Sequence, residues 1–391
     1  MTNLQEASSL AGAPRYASLD GLRGVACLLV YFFHVGFNFR LGPVALIGSV
    51  GVHIFFVLSG FLMFGPFLPS LLGERPPPGL WKYAVRRATR IYPPFLVALI
   101  GFTAMRYVIG VKPPGAWNVA IHGLLVSNYV DPASYTEING IFWTLAIEAQ
   151  FYVLLPLVLL PLARYGKGRS APTIAIGLFL GVGLAARYWE SRAIADPDHV
   201  GIQSILAFLD MFGLGMAAAW IARRDGDRLA RSPRVRWMLM VAGLTILLGA
   251  STWVDRRMDG RWDLGTVPLQ KTFVAFGLCL GAAMIVLAAV TWPRGGPVVL
   301  TNRLIVWVGT ISYSLYLYHL GTLYLTIRVV GYERLPGQPH YLNSFLMGLV
   351  GLPLALATAA VMYYAIEAPA TRWGRRYSQH PEAIDDKNDN R

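Results

Sequence analysis

The chain has 391 residues, 55% of them hydrophobic and only 14% charged, with a formal net charge of +13. A soluble domain carries about 25% charged residues, so this composition excludes an ordinary water-soluble globule and makes length a measure of membrane helices. The basic excess lies between apolar runs, which is the pattern of membrane orientation and removes nucleic acid as its explanation.

Residues 1–17 are polar and lack the basic n-region and cleavage site of a secretory signal, so the first apolar run is expected to stay as a helix. Ten spans follow, near 18–39, 46–66, 91–110, 141–163, 173–190, 202–222, 235–253, 270–291, 304–328 and 343–367, each close to the ~20 residues that cross a bilayer. The predicted fold is all-α, a polytopic transmembrane helical bundle of about ten spans. Its domains are a cytoplasmic segment 1–17, a transmembrane domain 18–369 and a disordered cytoplasmic tail 370–391, the last argued from its short, mixed-charge composition. Cys27 and Cys279 fall in apolar runs and read as small core residues, with no disulfide framework or metal site.

Arginine and lysine concentrate in three loops on one side: Arg75, Lys82, Arg86, Arg87 and Arg90, then Arg164, Lys167 and Arg169, then Arg223 to Arg236. The opposite loops are poorer in cations and interleave them with acids, as at Asp255 to Asp259. The rich side, and with it both termini, is therefore predicted to be cytoplasmic.

With that orientation, polar residues can be placed by depth at ~1.5 Å per helical residue. Asp20 and Arg23 fall near the cytoplasmic face. His34 lies eleven residues further on, at ~16 Å and on nearly the same helix face. His53, Glu148, Asp210 and His319 are predicted to share His34's layer, and ionisable groups at such depth are functional candidates by default. Each has a plainer reading. A membrane histidine such as His53 or His319 can simply bond a neighbouring helix, Glu148 can accept from Trp or Tyr donors, Asp210 reads as structural, and Arg86 to Arg90 can be an orientation signal alone.

Several stretches carry a resemblance: Leu19-Asp20-Gly21-Leu22-Arg23-Gly24 through His34, Gly51 to Leu62 with His53 and Ser59, and Arg87-Ala88-Thr89-Arg90-Ile91-Tyr92-Pro93. Trp143 to Glu148 with Phe151-Tyr152, then Ser312-Tyr313 with Tyr316-Leu317 and His319, and finally Glu367-Ala368-Pro369 continue it over nearly the whole chain. Together they resemble the membrane acyltransferase family 3. The resemblance implies an enzyme that moves an acyl group, most often acetyl, from acyl-CoA to a hydroxyl of a carbohydrate or macrolide acceptor, in a bacterial cytoplasmic membrane and with no metal. It maps the family's arginine–histidine motif onto Arg23 and His34 and its arginine pair onto Arg87 and Arg90.

The chemistry of the residues agrees with that implication. Acyl transfer to an alcohol needs a base, and imidazole suits that task because its ordinary pKa lies near neutrality. His34 is the expected general base, with Glu148 as a second catalytic candidate. Arg23, Arg87 and Arg90 are the expected binders of the CoA phosphates. Asp20, His53, Ser59, Trp143, Tyr152, Ser312, Tyr313 and His319 are expected to support the substrate or the structure. The rival class is a transporter or flippase for an envelope precursor, which a polar layer at depth also permits. Aromatic residues of the outward loops, Trp117, Tyr129, Tyr135 and Trp262, are candidates for stacking on sugar rings.

Overall fold

The computed structural model describes residues 16–39, 50–130, 137–166, 168, 170–193, 204–257, 268–330 and 340–378. The 1–15 segment, Tyr135, Trp262 and the tail beyond 378 lie outside them. All regular elements among the described residues are helical. In chain order they include α1 (Ala17–Phe39), α2 (Val50–Phe64), α3 (Leu80–Val108), α4 (Ala116–Gly123), α5 (Phe142–Tyr165), α6 (Ser170–Ala193) and α7 (Leu209–Arg231). After these come α8 (Pro233–Arg257), α9 (Pro268–Val290), α10 (Arg303–Thr310), α11 (Ser312–Val330), α12 (His340–Met362) and α13 (Ala368–Tyr377).

Among the described residues, nine helices are long and apolar enough to cross a membrane. They match nine of the ten predicted spans. The tenth, 304–328, is present as two helices that meet at Ile311, with the Asn302 side chain capping α10 by accepting from the Leu304 amide at 2.9 Å. Its α11 half is rich in tyrosine and carries His319, yet Ser312, Tyr313, Ser314, Tyr316 and His319 are all buried. Those polar groups face protein rather than lipid, which is why an apolar window alone undervalues this helix.

Two expectations about boundaries need correction. The stretch Lys82 to Arg90, read as a loop, is the first third of α3, where Val85 and Thr89, one turn apart, form a buried stripe among the cations and Ile91 is buried on another side. Residues 370–377, placed in a disordered tail, are the body of α13. There a Cβ on Gly374 would stand 2.0 Å from Thr89 Oγ1, so the Thr89 side chain sits directly on the Gly374 backbone, and Trp81 packs on Tyr377 with ring centroids 6.2 Å apart. The Arg86 guanidinium adds a bond to Ser378 Oγ at 3.2 Å.

The helices bury two apolar cores. One joins α2, α6, α7 and α9 with the start of α1 and the end of α5; the other joins α3, α11 and α12 with the remainder of α1 and α5. Small residues set the crossings. A Cβ on Gly309 would lie 1.7 Å from the Asp20 carbonyl oxygen, and one on Gly215 2.0 Å from that of Val57. Close backbone approach of this kind is how membrane helices gain packing without a hydrophobic driving force. Because α1 and α5 belong to both cores, the seam between the cores runs along them, and the polar residues collect there.

Candidate active site

Four helical stripes face the seam. On α5, Thr144, Glu148 and Tyr152 are spaced by four, and on α11, Ser312, Tyr316 and His319 are spaced by four and three, so each set lies along one helix face. On α3, Arg87 and Arg90 are three apart and share a face. On α1, Arg23 and His34 are the two ends of the stripe. These elements and α2 line a cleft whose walls include Arg23, Ser59, Arg87, Arg90, Thr144, Glu148, Tyr152, Ser312, Tyr313 and Tyr316.

The cleft has a cationic end. Three guanidiniums face one lining carboxylate, Glu148. That carboxylate accepts the Ser59 hydroxyl at 2.6 Å and the Tyr152 hydroxyl, so it is held by donors on two helices. Arg87 lies over the Tyr152 ring, 5.7 Å from its centroid, and its Nε is buried with no hydrogen-bond partner in the protein. Arg23 donates through Nε and a terminal nitrogen to Ser312 Oγ at 3.3 and 3.2 Å. A buried guanidinium N–H without an acceptor is costly, and an anion in the cleft would satisfy it.

Toward the other end, the proton order can be read. Thr144 donates its one proton to the Ile141 carbonyl at 2.9 Å, so the 2.7 Å contact between Thr144 and Tyr316 must use the Tyr316 proton. Beyond Tyr316, His319 Nε2 lies 3.1 Å from His34 Nδ1. The two imidazoles are 4.9 Å apart between centroids and tilted by 57°.

This arrangement divides the predicted layer of titratable residues. Glu148 lies four residues from Thr144 toward the arginines, and His319 three residues from Tyr316 in the opposite direction. Since Thr144 and Tyr316 touch, Glu148 and His319 are offset along the helix axes by ~10 Å. Glu148 therefore belongs with Arg23 and Arg87, while His34 meets His319. The depth count failed here because it measured each helix from its own end and ignored their axial offsets. Asp210 is an ion-pair partner of Arg187 at 2.6 Å, buried between α6 and α7, which is the structural reading.

Other candidates do not line the cleft, His34 and His319 among them, which lie beyond Tyr316. Trp143 faces away from it, packed on Phe208 and Phe56 at 5.6 and 6.5 Å, because one residue along a helix turns the side chain by 100° from Thr144. His53 and Asp20 are half-buried and do not line it. Three participants were quoted from sequence only as part of the resemblance and given no role: Thr144 and Tyr316, whose place the stripes on α5 and α11 could have indicated, and Glu367. Glu367 ends a π-helical turn, Tyr363–Glu367, and accepts the Ser314 hydroxyl at 2.7 Å, tying the end of α12 to α11. Turns of this kind recur at functional sites. No group of three or more metal-ligating side chains occurs among the described residues.

A family profile described as "Acyltransferase domain" matches residues 16–364, which contain every one of these stripes. The chain belongs to the acyltransferase 3 family. The peptidoglycan O-acetyltransferase OatA of Listeria monocytogenes is 26% identical over 334 residues, which cover 80% of this chain and 50% of that protein. A Bacillus subtilis protein named "Putative peptidoglycan O-acetyltransferase YrhL" is 27% identical over 376 residues, covering 92% of this chain and 55% of the relative. The chain thus spans about half the length of the curated relatives it matches. No solved structure matches it at a significant level.

Proposed function

We propose that the chain is a membrane O-acetyltransferase that takes an acetyl group from acetyl-CoA and places it on a hydroxyl of a cell-envelope carbohydrate, with a peptidoglycan sugar as the first candidate. The observation that carries the reading is the cleft with its three guanidiniums, together with a histidine pair that lies beyond its Tyr316 end, about two to three helical turns from Arg23, in a protein of this family. The acetylated cell-wall polymer in the relatives' names supports the acceptor class.

In this reading the arginine end opens to the cytoplasm, where acyl-CoA is made, and both termini lie on that side of the bacterial inner membrane. Arg87 and Arg90, with Arg23 deeper in, bind the phosphates and the mouth of the pantetheine arm by charge-assisted bonds. The arm lies along the Tyr152, Tyr313 and Tyr316 rings and brings the thioester to His34. His34 takes the proton of the attacking hydroxyl as the new C–O bond forms, and the C–S bond then breaks with the proton passing to the departing thiolate. Acetyl ends on oxygen and CoA leaves as the free thiol.

Purified protein in lipid nanodiscs, given acetyl-CoA and muropeptide or oligosaccharide acceptors, is expected to release free thiol in proportion to ester formed. Transport of a labelled envelope precursor into vesicles, with no thiol release, would replace this reading with the flippase alternative.

A further inference from the structure

The histidine pair carries more information than its proximity. His34 Nδ1 lies 2.9 Å from the Val30 carbonyl oxygen, and His319 Nδ1 lies 2.7 Å from that of Tyr316. Carbonyls only accept, so each contact requires a proton on Nδ1. A neutral His319 protonated at Nδ1 has a lone pair at Nε2, the atom 3.1 Å from His34 Nδ1. One arrangement satisfies all three contacts: the His34 Nδ1–H is shared between the Val30 carbonyl and His319 Nε2, and the basic nitrogen of His34 is Nε2. The reverse polarity, with His319 donating to His34 Nδ1, would set a lone pair of His34 against the Val30 oxygen.

The surroundings hold this geometry. His319 is 1% exposed, so water does not compete for its Nε2. Tyr31 meets its ring edge-on at 6.4 Å and is anchored by its own hydroxyl to the Gly348 carbonyl at 2.8 Å. Phe33 meets the His34 ring edge-on at 5.0 Å. A bond that served only to join α1 to α11 would not need both rings to be fixed by separate backbone carbonyls.

We infer that His319 is the positioning residue of the site, holding His34 in the tautomer whose Nε2 accepts the acceptor hydroxyl's proton. It does for His34 what a carboxylate does for the histidine of a hydrolase triad, with a neutral imidazole as the acceptor in place of a charged group. When His34 gains a proton at Nε2, the Nδ1–H···Nε2 bond spreads the charge over two rings, and the proton leaves again from the same Nε2 to the departing group. The inference rests on the reading of His34 as general base.

The test uses His319→Leu, which removes the acceptor, and His319→Gln, whose amide oxygen can reach the Nε2 position and accept in its place. Both are purified, checked for monodispersity, and assayed for thiol release alongside ¹⁵N spectra of labelled histidine, with the His34 signals assigned by difference from His34→Ala. Loss of about 30-fold or more in kcat for Leu with KM for acetyl-CoA unchanged, recovery of most of it in Gln, and a His34 signal that moves from the Nδ1–H form in wild type to a tautomer mixture in Leu are expected. Wild-type kcat and an unchanged His34 spectrum in His319→Leu, with His34→Ala inactive, would overturn the positioning role and leave the base reading intact. Wild-type turnover in His34→Ala would overturn the base reading instead, and the wild-type spectrum would still show whether the pair holds its proton as derived.

Discussion

Arg23 and His34 are eleven residues apart on one helix, and helix packing gives each a different neighbour: a serine in the cleft for Arg23, an imidazole beyond it for His34. The two ends predict different kinetics. His34→Ala should lower kcat by roughly 10²–10⁴-fold, the usual worth of a positioned base, with KM for the acyl donor little changed, read by thiol release from protein of confirmed insertion. Arg87→Ala should act mainly on KM for acetyl-CoA, raising it about 10- to 100-fold, the equivalent of one charge-assisted bond. Arg87→Lys should recover only part, because an ammonium cannot both stack on Tyr152 and bond a phosphate bidentately. Among these residues the sequence showed which were chemically capable, since an arginine or histidine inside an apolar run is visible as such. It did not show that Trp143 turns away while Thr144 turns in, or that Glu148 answers to Ser59 and Tyr152. Those facts depend on helix rotation and axial offset, which one sequence does not contain.

At the scale of the helix, two kinds of contact hold the frame around the cleft. Where Gly309 meets the Asp20 carbonyl, Gly309→Val forces α10 away from α1, and with it the Asn302-capped turn that sets the start of α11. Overpacking a tight crossing costs about 1–3 kcal/mol or more, so this variant should show a clear fall in thermal unfolding temperature in nanodiscs and a loss of activity that follows it. Asp210 and Arg187 test the opposite expectation, that a buried charge can be structural. Asp210→Asn leaves the Arg187 guanidinium short of a charged partner on both of its contacts, at 3.2 and 2.6 Å, and should lower stability by about 3–5 kcal/mol. The double variant Arg187→Met with Asp210→Leu should regain much of that stability and should turn over like wild type. A double variant that is stable but inactive would move the pair from the frame into the mechanism. The start of α3 belongs to this scale as well. A run of apolar residues ends where the arginines begin, yet the helix continues through them, with Val85 and Thr89 buried one turn apart among the cations.

For the whole molecule, the predicted orientation places the arginine end of the cleft and α4 on opposite faces of the membrane. Single cysteines at Lys82, beside the cleft's arginine end, and at Trp117, in the short α4, should label from opposite sides of the membrane with an impermeant thiol reagent; the native Cys27 and Cys279 are buried and should stay silent. Labelling of both from one side would undo the ten-span topology and the cytoplasmic entry of the donor. The sequence by itself determined that this is a multi-pass helical protein, where most of its spans lie, and which family it belongs to, because apolar run length and local motifs are properties of contiguous residues. Tertiary structure alone decided that one predicted span is two helices meeting at Ile311, that the titratable layer is two separate groups, and that His319 is the residue that meets His34. Those outcomes come from side chains 285 residues apart being brought within 3.1 Å, which packing between helices fixes and spacing along the chain does not.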